Sequence, residues 1–257
     1  MRRFLFIAVA LASSQAQTFD VASLKAIDSS FVEARPKITP GRLSWTTGMN
    51  GLLCFAFQLQ AFQLQMPNPM PAGVRRVYRV DAEFAPNATE RDVRRMMQAL
   101  IVERFKIASH RTTKEADVYT LTAAKGGTKI KMAAPDDAPP PFPDWWHNPP
   151  SPQAIEGRIL QTIPSPGIVT MAGRRVTISQ LCETLSSHFS STVTDATGLT
   201  GPYYFAVRYA SDDFNQPVDA PSLFAALEKE LGLRLDRHKG QLEMLAIDHI
   251  ERLPVEN

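Results

Sequence analysis

Ten of the chain's twenty prolines fall between Gly126 and Pro166. They are Pro135, Pro139, Pro140, Pro141, Pro143, Pro149, Pro150, Pro152, Pro164 and Pro166. Each removes a backbone donor and fixes φ, so this interval sustains neither a helix nor a central strand and favours polyproline-like extension. The sequence therefore divides into a first α+β unit over residues 17–126, a proline-rich linker over 127–166 and a second α+β unit over 167–257. Inside the linker stand Trp145, Trp146 and His147, unusual residues for a spacer. They read either as aromatic packing onto a neighbouring domain, since tryptophan buries large apolar area wherever it can, or as a docking motif or sugar-stacking platform.

Both halves follow one order of elements: strand, helix, strand, helix, strand, strand. In the first half, alternation marks strands over Thr18–Lys25, Gly41–Thr46 and Val77–Phe84. Met49–Leu59 reads as a buried helix, although Gly51 weakens it. The clearest helix follows Thr89. Val93, Met96, Met97, Leu100 and Ile101 recur at helical spacing, and Asp92 completes a capping box with Thr89. The sequence then predicts a hairpin, with strands at Phe105–Ser109 and Val118–Ala123 around a polar turn at Thr112–Ala116. In the second half, Thr177 and Gln180 form a capping box before the helix Ile178–Phe189. Strands are expected at Ile168–Ala172, Thr192–Thr194 and Tyr203–Tyr209. A helix capped by Asp219 or Ser222 runs to Gly232, and a last hairpin turns at Lys239-Gly240.

Superposing the halves strengthens the parallel. An offset of 128 lays Leu53 and Cys54 on Leu181 and Cys182, and Phe105, Ile107 and His110 on Leu233, Leu235 and His238. An offset of 125 lays Tyr78–Phe84 on Tyr203–Tyr209. The expected fold class is α+β: two duplicated small domains, each with helices packed on one face of a small mixed sheet.

The N-terminus carries an export signature. Arg2 and Arg3 precede the apolar run Phe4–Ala12, and Ser14-Gln15-Ala16 supplies small residues at a cleavage site, so residues 1–16 read as a signal peptide. That run is too short to span a bilayer. The chain has 28 basic and 26 acidic residues. Without Arg2 and Arg3 the count is 26 against 26, and no global field favours nucleic acid or anionic lipid. The expected location is exported, periplasmic or extracellular. An oxidising compartment would permit a disulfide between Cys54 and Cys182, although both fall at apolar helix positions that suit two separate buried thiols.

The stretches TFDVASLK, QALIVERFKIASHRTTKEADVYTLTAAKGG, TDATGLTGPYYF and SLFAALEKELGLRLDRHKGQLEMLAIDHIE resemble a family of uncharacterised exported proteins abundant in acidobacterial-type soil bacteria. The resemblance implies a secreted or periplasmic protein and brings no catalytic residue with it. The second half, from Val176 to Ile250, is also similar to the short N-terminal domain of secretins and TonB-dependent transducers. The likeness lies in the Thr197-Gly198-Leu199 turn and the LGLRL helix end. In those proteins the domain is a periplasmic protein-interaction module.

The residues themselves offer little chemistry. No H-E-x-x-H frame, G-x-S-x-G elbow, phosphate-binding loop or G-x-G-x-x-G is present, and no cofactor or metal is expected. His110 and His238 are candidate polar-site residues at equivalent positions, each beside a basic residue. A catalytic histidine needs a positioned partner, and Asp248-His249, adjacent on a strand, point to opposite faces. The leading expectation is a non-catalytic module that binds an envelope or secreted protein. The alternative is a secreted hydrolase-type enzyme with a site between the two halves.

Overall fold

Local signals decide where the helices start. In the computed structural model, Thr89 accepts from the Asp92 amide and the Asp92 carboxylate accepts from the Thr89 amide. Thr177 and Gln180 make the same reciprocal pair. Each box satisfies donors that a helix N-terminus leaves free. The model describes residues 18–69, 71, 76–134, 138, 140–146, 149 and 151–251. The expected signal peptide and His147 lie outside these residues.

The fold mixes helix and sheet. Its strands are β1 (Val21–Ile27), β2 (Lys37–Thr39), β3 (Arg42–Gly48), β4 (Leu64–Gln65), β5 (Val77–Glu83), β6 (Ala108–Ala123), β7 (Lys131–Met132), β8 (Arg158–Ser165), β9 (Ile168–Val176), β10 (Val193–Asp195), β11 (Tyr203–Ala210) and β12 (Leu233–His249). The helices are α1 (Met49–Phe57), α2 (Glu90–Phe105), α3 (Ile178–Phe189) and α4 (Leu223–Ala226). A π-helical turn, Leu227–Leu231, continues α4, and 3-10 turns occupy Ala61–Gln63 and Pro152–Ile155. Among the described residues the strands form three sheets, ordered β1-β5-β3-β2, β10-β6-β12-β4 and β7-β11-β9-β8.

The chain makes two compact units. Unit 1 takes residues up to Thr112 together with Met244 onward, and unit 2 takes Thr113–Glu243. The core of unit 1 joins Leu43, Trp45, Leu52, Leu53, Tyr78, Val80, Met97 and Ile101 to Leu245, Ile247 and Ile250 from the end of β12. The core of unit 2 joins Met171, Val176, Leu181, Leu185, Val207 and Leu227 to Tyr119 and Leu121 from the end of β6. Strands β6 and β12 thus each begin in one unit and finish in the other.

Three local expectations change. Neither β6 nor β12 folds back as a hairpin; each is one long strand, and the two are neighbours in a sheet. The polar stretch His110–Asp117 is extended with mostly exposed side chains, so it needed no turn to stay solvated. Gly240, read as a turn glycine, leaves room instead: a Cβ there would meet the Val118 side chain 2.5 Å away. Part of the proline-rich interval is also strand. β8 is an edge strand whose ladder to β9 is interrupted between Thr162 and Ser165, around Pro164. An edge position with a broken register is where a sheet tolerates proline.

Candidate functional site

The densest gathering of chemistry lies in unit 2, on one face of the β7-β11-β9-β8 sheet. Strand alternation divides the two faces. Met171, Phe205 and Val207 point into the main core with α3 and α4, whereas Ala172 and Ala206 point the other way. On that second face they meet Trp146 and Ile155, with Phe142, Trp145 and Leu160 around them. Trp146 is only 5% exposed. Its ring lies 5.9 Å from Trp145 in a stacked arrangement and 5.2 Å from Phe142. The proline-rich segment is therefore pinned to the sheet by aromatic burial.

A backbone irregularity places the key side chain. In the ladder between β9 and β11, Tyr203 pairs with Val176 and Phe205 with Gly173, so Tyr204 alone faces both Arg174 and Arg175. This is a β-bulge, and Arg175 occupies it in the left-handed region with φ +49°. Bulges re-aim side chains, and two consecutive arginines here take separate environments. Arg175 pairs with Glu156 at 3.0 Å. Arg174 is 4% exposed, and its guanidinium carbon sits 4.3 Å from the centre of the Phe142 ring. Nη2 of Arg174 donates to the Pro140 carbonyl at 2.8 Å. Nε and Nη1 have no partner among the described residues. Leaving buried charged donors unpaired costs about 1–3 kcal/mol each or more.

Arg174 lines a cavity of about 270 Å³. Its walls include the Pro140–Pro143 run, Gly173, Tyr204, Phe205, and Glu230 and Leu231 of the π-helical turn. Lys129 and Lys131 add two cations. Lys131 reaches the wall because β7 pairs with β11, setting Lys131 beside Tyr204. Lys129 is held by its amide, which donates to the Leu231 carbonyl at 2.8 Å, and by Nζ, which donates to the Lys229 carbonyl at 2.8 Å. Three cations thus face one carboxylate. Burial pushes the Arg174 guanidinium down from its ordinary range and the Glu230 carboxyl up. Both shifts report a poorly hydrated pocket. Its chemistry is recognition of an anion beside aromatic and apolar surface.

The other candidates lie apart from this cavity. His110 Nδ1 is 2.8 Å from an Asp248 carboxylate oxygen in unit 1, with both side chains at least half exposed. The aspartate partner is therefore Asp248, paired with His110 and not with its sequence neighbour His249. His238 is an exposed residue of β12 in unit 2. Cys54 and Cys182, considered for a disulfide, are both free thiols, raised by burial to about 11 and about 12 respectively. No cluster of three or more His, Cys, Asp or Glu residues fit to hold a metal occurs among the described residues. No described helix is long and apolar enough to cross a membrane.

Sequence reasoning passed over Arg174, Lys129 and Lys131. The available signal was the pair Arg174-Arg175 inside an otherwise apolar strand, Ile168–Val176, next to a glycine. No curated protein and no solved structure matches the chain. Residues 50–250 match the model of a family described as protein of unknown function, DUF3738, and the chain belongs to that family.

Proposed function

We propose that this protein is an exported, non-catalytic binding module that engages an envelope or secreted partner through unit 2. The observation that carries the reading is the cationic, aromatic-walled cavity held open beneath Pro140–Pro143. Few convergent polar groups in a largely apolar concavity are what ligand sites present. Export is supported by Arg2, Arg3 and the apolar Phe4–Ala12 ahead of Ala16, and the likeness to acidobacterial exported proteins agrees with it. An interaction role is supported by the secretin-like features of Val176–Ile250.

The module reads as an internal duplication. In support, the sheets β1-β5-β3-β2 and β7-β11-β9-β8 have one order, shifted by six strands. The shared order of the third sheet reads the same after that shift, from its other end. Helices α1 and α3 follow equivalent strands, as do α2 and α4.

The test is capture. The mature chain, residues 17–257, is immobilised and offered the envelope fraction of its source cell beside a Lys129→Ala/Lys131→Ala variant. A partner retained by the wild type and lost by the variant supports the reading. Equal retention by both, or none above bare resin, refutes it. A secreted hydrolase is the second reading, favoured by the 2.8 Å His110–Asp248 pair. Hydrolysis of ester or glycoside substrates that His110→Ala abolishes would support it, and activity indifferent to that change would dismiss it.

A further inference from the structure

We propose that the unit 2 cavity is a carboxylate-binding site, in which Arg174 grips the acid group of a small ligand whose apolar body lies against Phe142 and Tyr204. This deepens the binding-module reading and rests on it.

Arginine has five N–H donors in a planar fork. One of them, on Nη2, serves the Pro140 carbonyl. Nε and Nη1 serve nothing among the described residues. Whichever edge of the fork the Pro140 oxygen takes, the other edge keeps the second Nη2 hydrogen beside an unspent nitrogen. Two parallel N–H donors on one edge match the two oxygens of a carboxylate.

The plane of the fork is set before any ligand arrives. Phe142 covers one face of the guanidinium at 4.3 Å, and the Arg174 backbone is fixed by the bulge and by its carbonyl, which accepts from the Gly157 amide at 2.8 Å. Such preorganisation lowers the ordering cost of binding. Arg174 is more than nine-tenths buried and lines the cavity, so a ligand that enters meets a guanidinium whose Nε and Nη1 are unspent. Glu230 also lines that space without accepting from Nε or Nη1. With Lys129 and Lys131 at the wall, the site carries a net positive charge that draws an anion in. The remaining lining is aromatic, proline ring or small and aliphatic. A bare inorganic anion would leave that surface against water, whereas an acid with an apolar body would cover it. A volume of about 270 Å³ holds one such group, and two sources share the chemistry: a free organic acid, and the C-terminal residue of a peptide chain.

The test is an NMR titration of the ¹⁵N-labelled mature chain. The probes are phenylacetate, its neutral amide, and a short peptide ending in phenylalanine as free acid and as C-terminal amide. Ligands of this size bind at roughly millimolar to micromolar Kd. The expected result is saturable shifts at Lys131, Gly173, Arg174 and Tyr204 with both acids and at least about tenfold weaker binding of both amides. Arg174→Lys, which keeps the charge and removes the fork, weakens the acids by about tenfold or more. Lys131→Ala, at a position that does not need refolding of the core, weakens them by a few-fold through lost attraction. A peptide acid that binds tighter than phenylacetate identifies a chain terminus as the source; equal affinity identifies a free acid. Acid and amide binding alike, no saturable shift at millimolar probe, or full affinity in Arg174→Lys or Lys131→Ala would each overturn the proposal. Capture of an envelope partner by a chain that binds none of these acids would remove this inference and leave the binding-module reading standing. Acid binding with no partner captured would do the reverse.

Discussion

Gly232→Ala is expected to destabilise unit 2 by about 2–3 kcal/mol, from two separable sources. Gly232 ends the π-helical turn in the left-handed region, with φ +64°. An alanine there costs roughly 1 kcal/mol from backbone conformation alone. The second source is crowding. A Cβ at this position would collide with the Gly127 carbonyl oxygen and approach the Lys129 amide and Thr128 Cα to 2.9 Å. These are backbone atoms and cannot swing aside as a side-chain tip can. Displacing them strains two hydrogen bonds: the Lys129 amide to the Leu231 carbonyl at 2.8 Å, and the Ala124 amide to the Gly232 carbonyl at 2.9 Å. At a net worth of about 1 kcal/mol apiece, their weakening supplies the rest. Gly198→Ala is the matched control, because Gly198 has a similar φ of +70° and nothing within 4 Å of its absent Cβ. It should lose about 1 kcal/mol. Urea unfolding followed by circular dichroism reads both, with the slope required to stay constant. If the two variants lose the same stability, the close crossing of residues 127–129 over Gly232 has no energetic weight and the reasoning fails.

Trp146→Ala should cost about 3 kcal/mol through the cavity it leaves, with loss of Phe142 packing visible as a near-ultraviolet dichroism change; an unchanged urea midpoint would show that the proline-rich segment is not pinned by this ring. Glu230→Gln should raise stability at neutral pH. Burial raises the Glu230 carboxyl above its ordinary 4.5, so the folded state holds its proton more tightly, and stability is lost as pH rises from 4.5 through the folded value. The gain from Gln should therefore vanish below about pH 4.5, and a gain that persists there would place its cause elsewhere. Cys54 and Cys182, raised to about 11 and about 12, should react slowly with a thiol reagent at pH 8 in the native protein and fast in urea; fast native labelling of both would contradict their burial.

The capping boxes at Thr89 and Thr177 were legible in the sequence because their hydrogen bonds close within three residues. The apolar stripe of α2 was legible for a similar reason, since one periodicity fixes it. What failed depended on partners far along the chain. Lys239-Gly240 carries the composition of a turn, yet the glycine answers a valine at position 118. His110–Asp117 is polar enough for a loop, yet an extended strand exposes those side chains just as well. Pro164 correctly excluded a central strand but not an edge one. The candidate site was the least legible part. Arg174 becomes chemically distinct only through the bulge opposite Tyr204, the ring of Phe142 and the carbonyl of Pro140, and no local pattern announces that conjunction. Trp145 and Trp146, singled out in the sequence, pack around Ala172 and Ala206 of the sheet.

The passage of β6 and β12 from one unit into the other bears on how this protein can be made and cut. Residues 18–112 already hold α1, α2 and most of the unit 1 core, but Leu245, Ile247 and Ile250 are added only by a segment more than 130 positions later. The core of unit 1 is therefore complete only when translation is nearly finished. The same dependence makes the halves mutual chaperones. Severed within the proline-rich interval, neither fragment carries a whole core. Mixed together, the fragments should reassemble; alone, each should pair with its own kind.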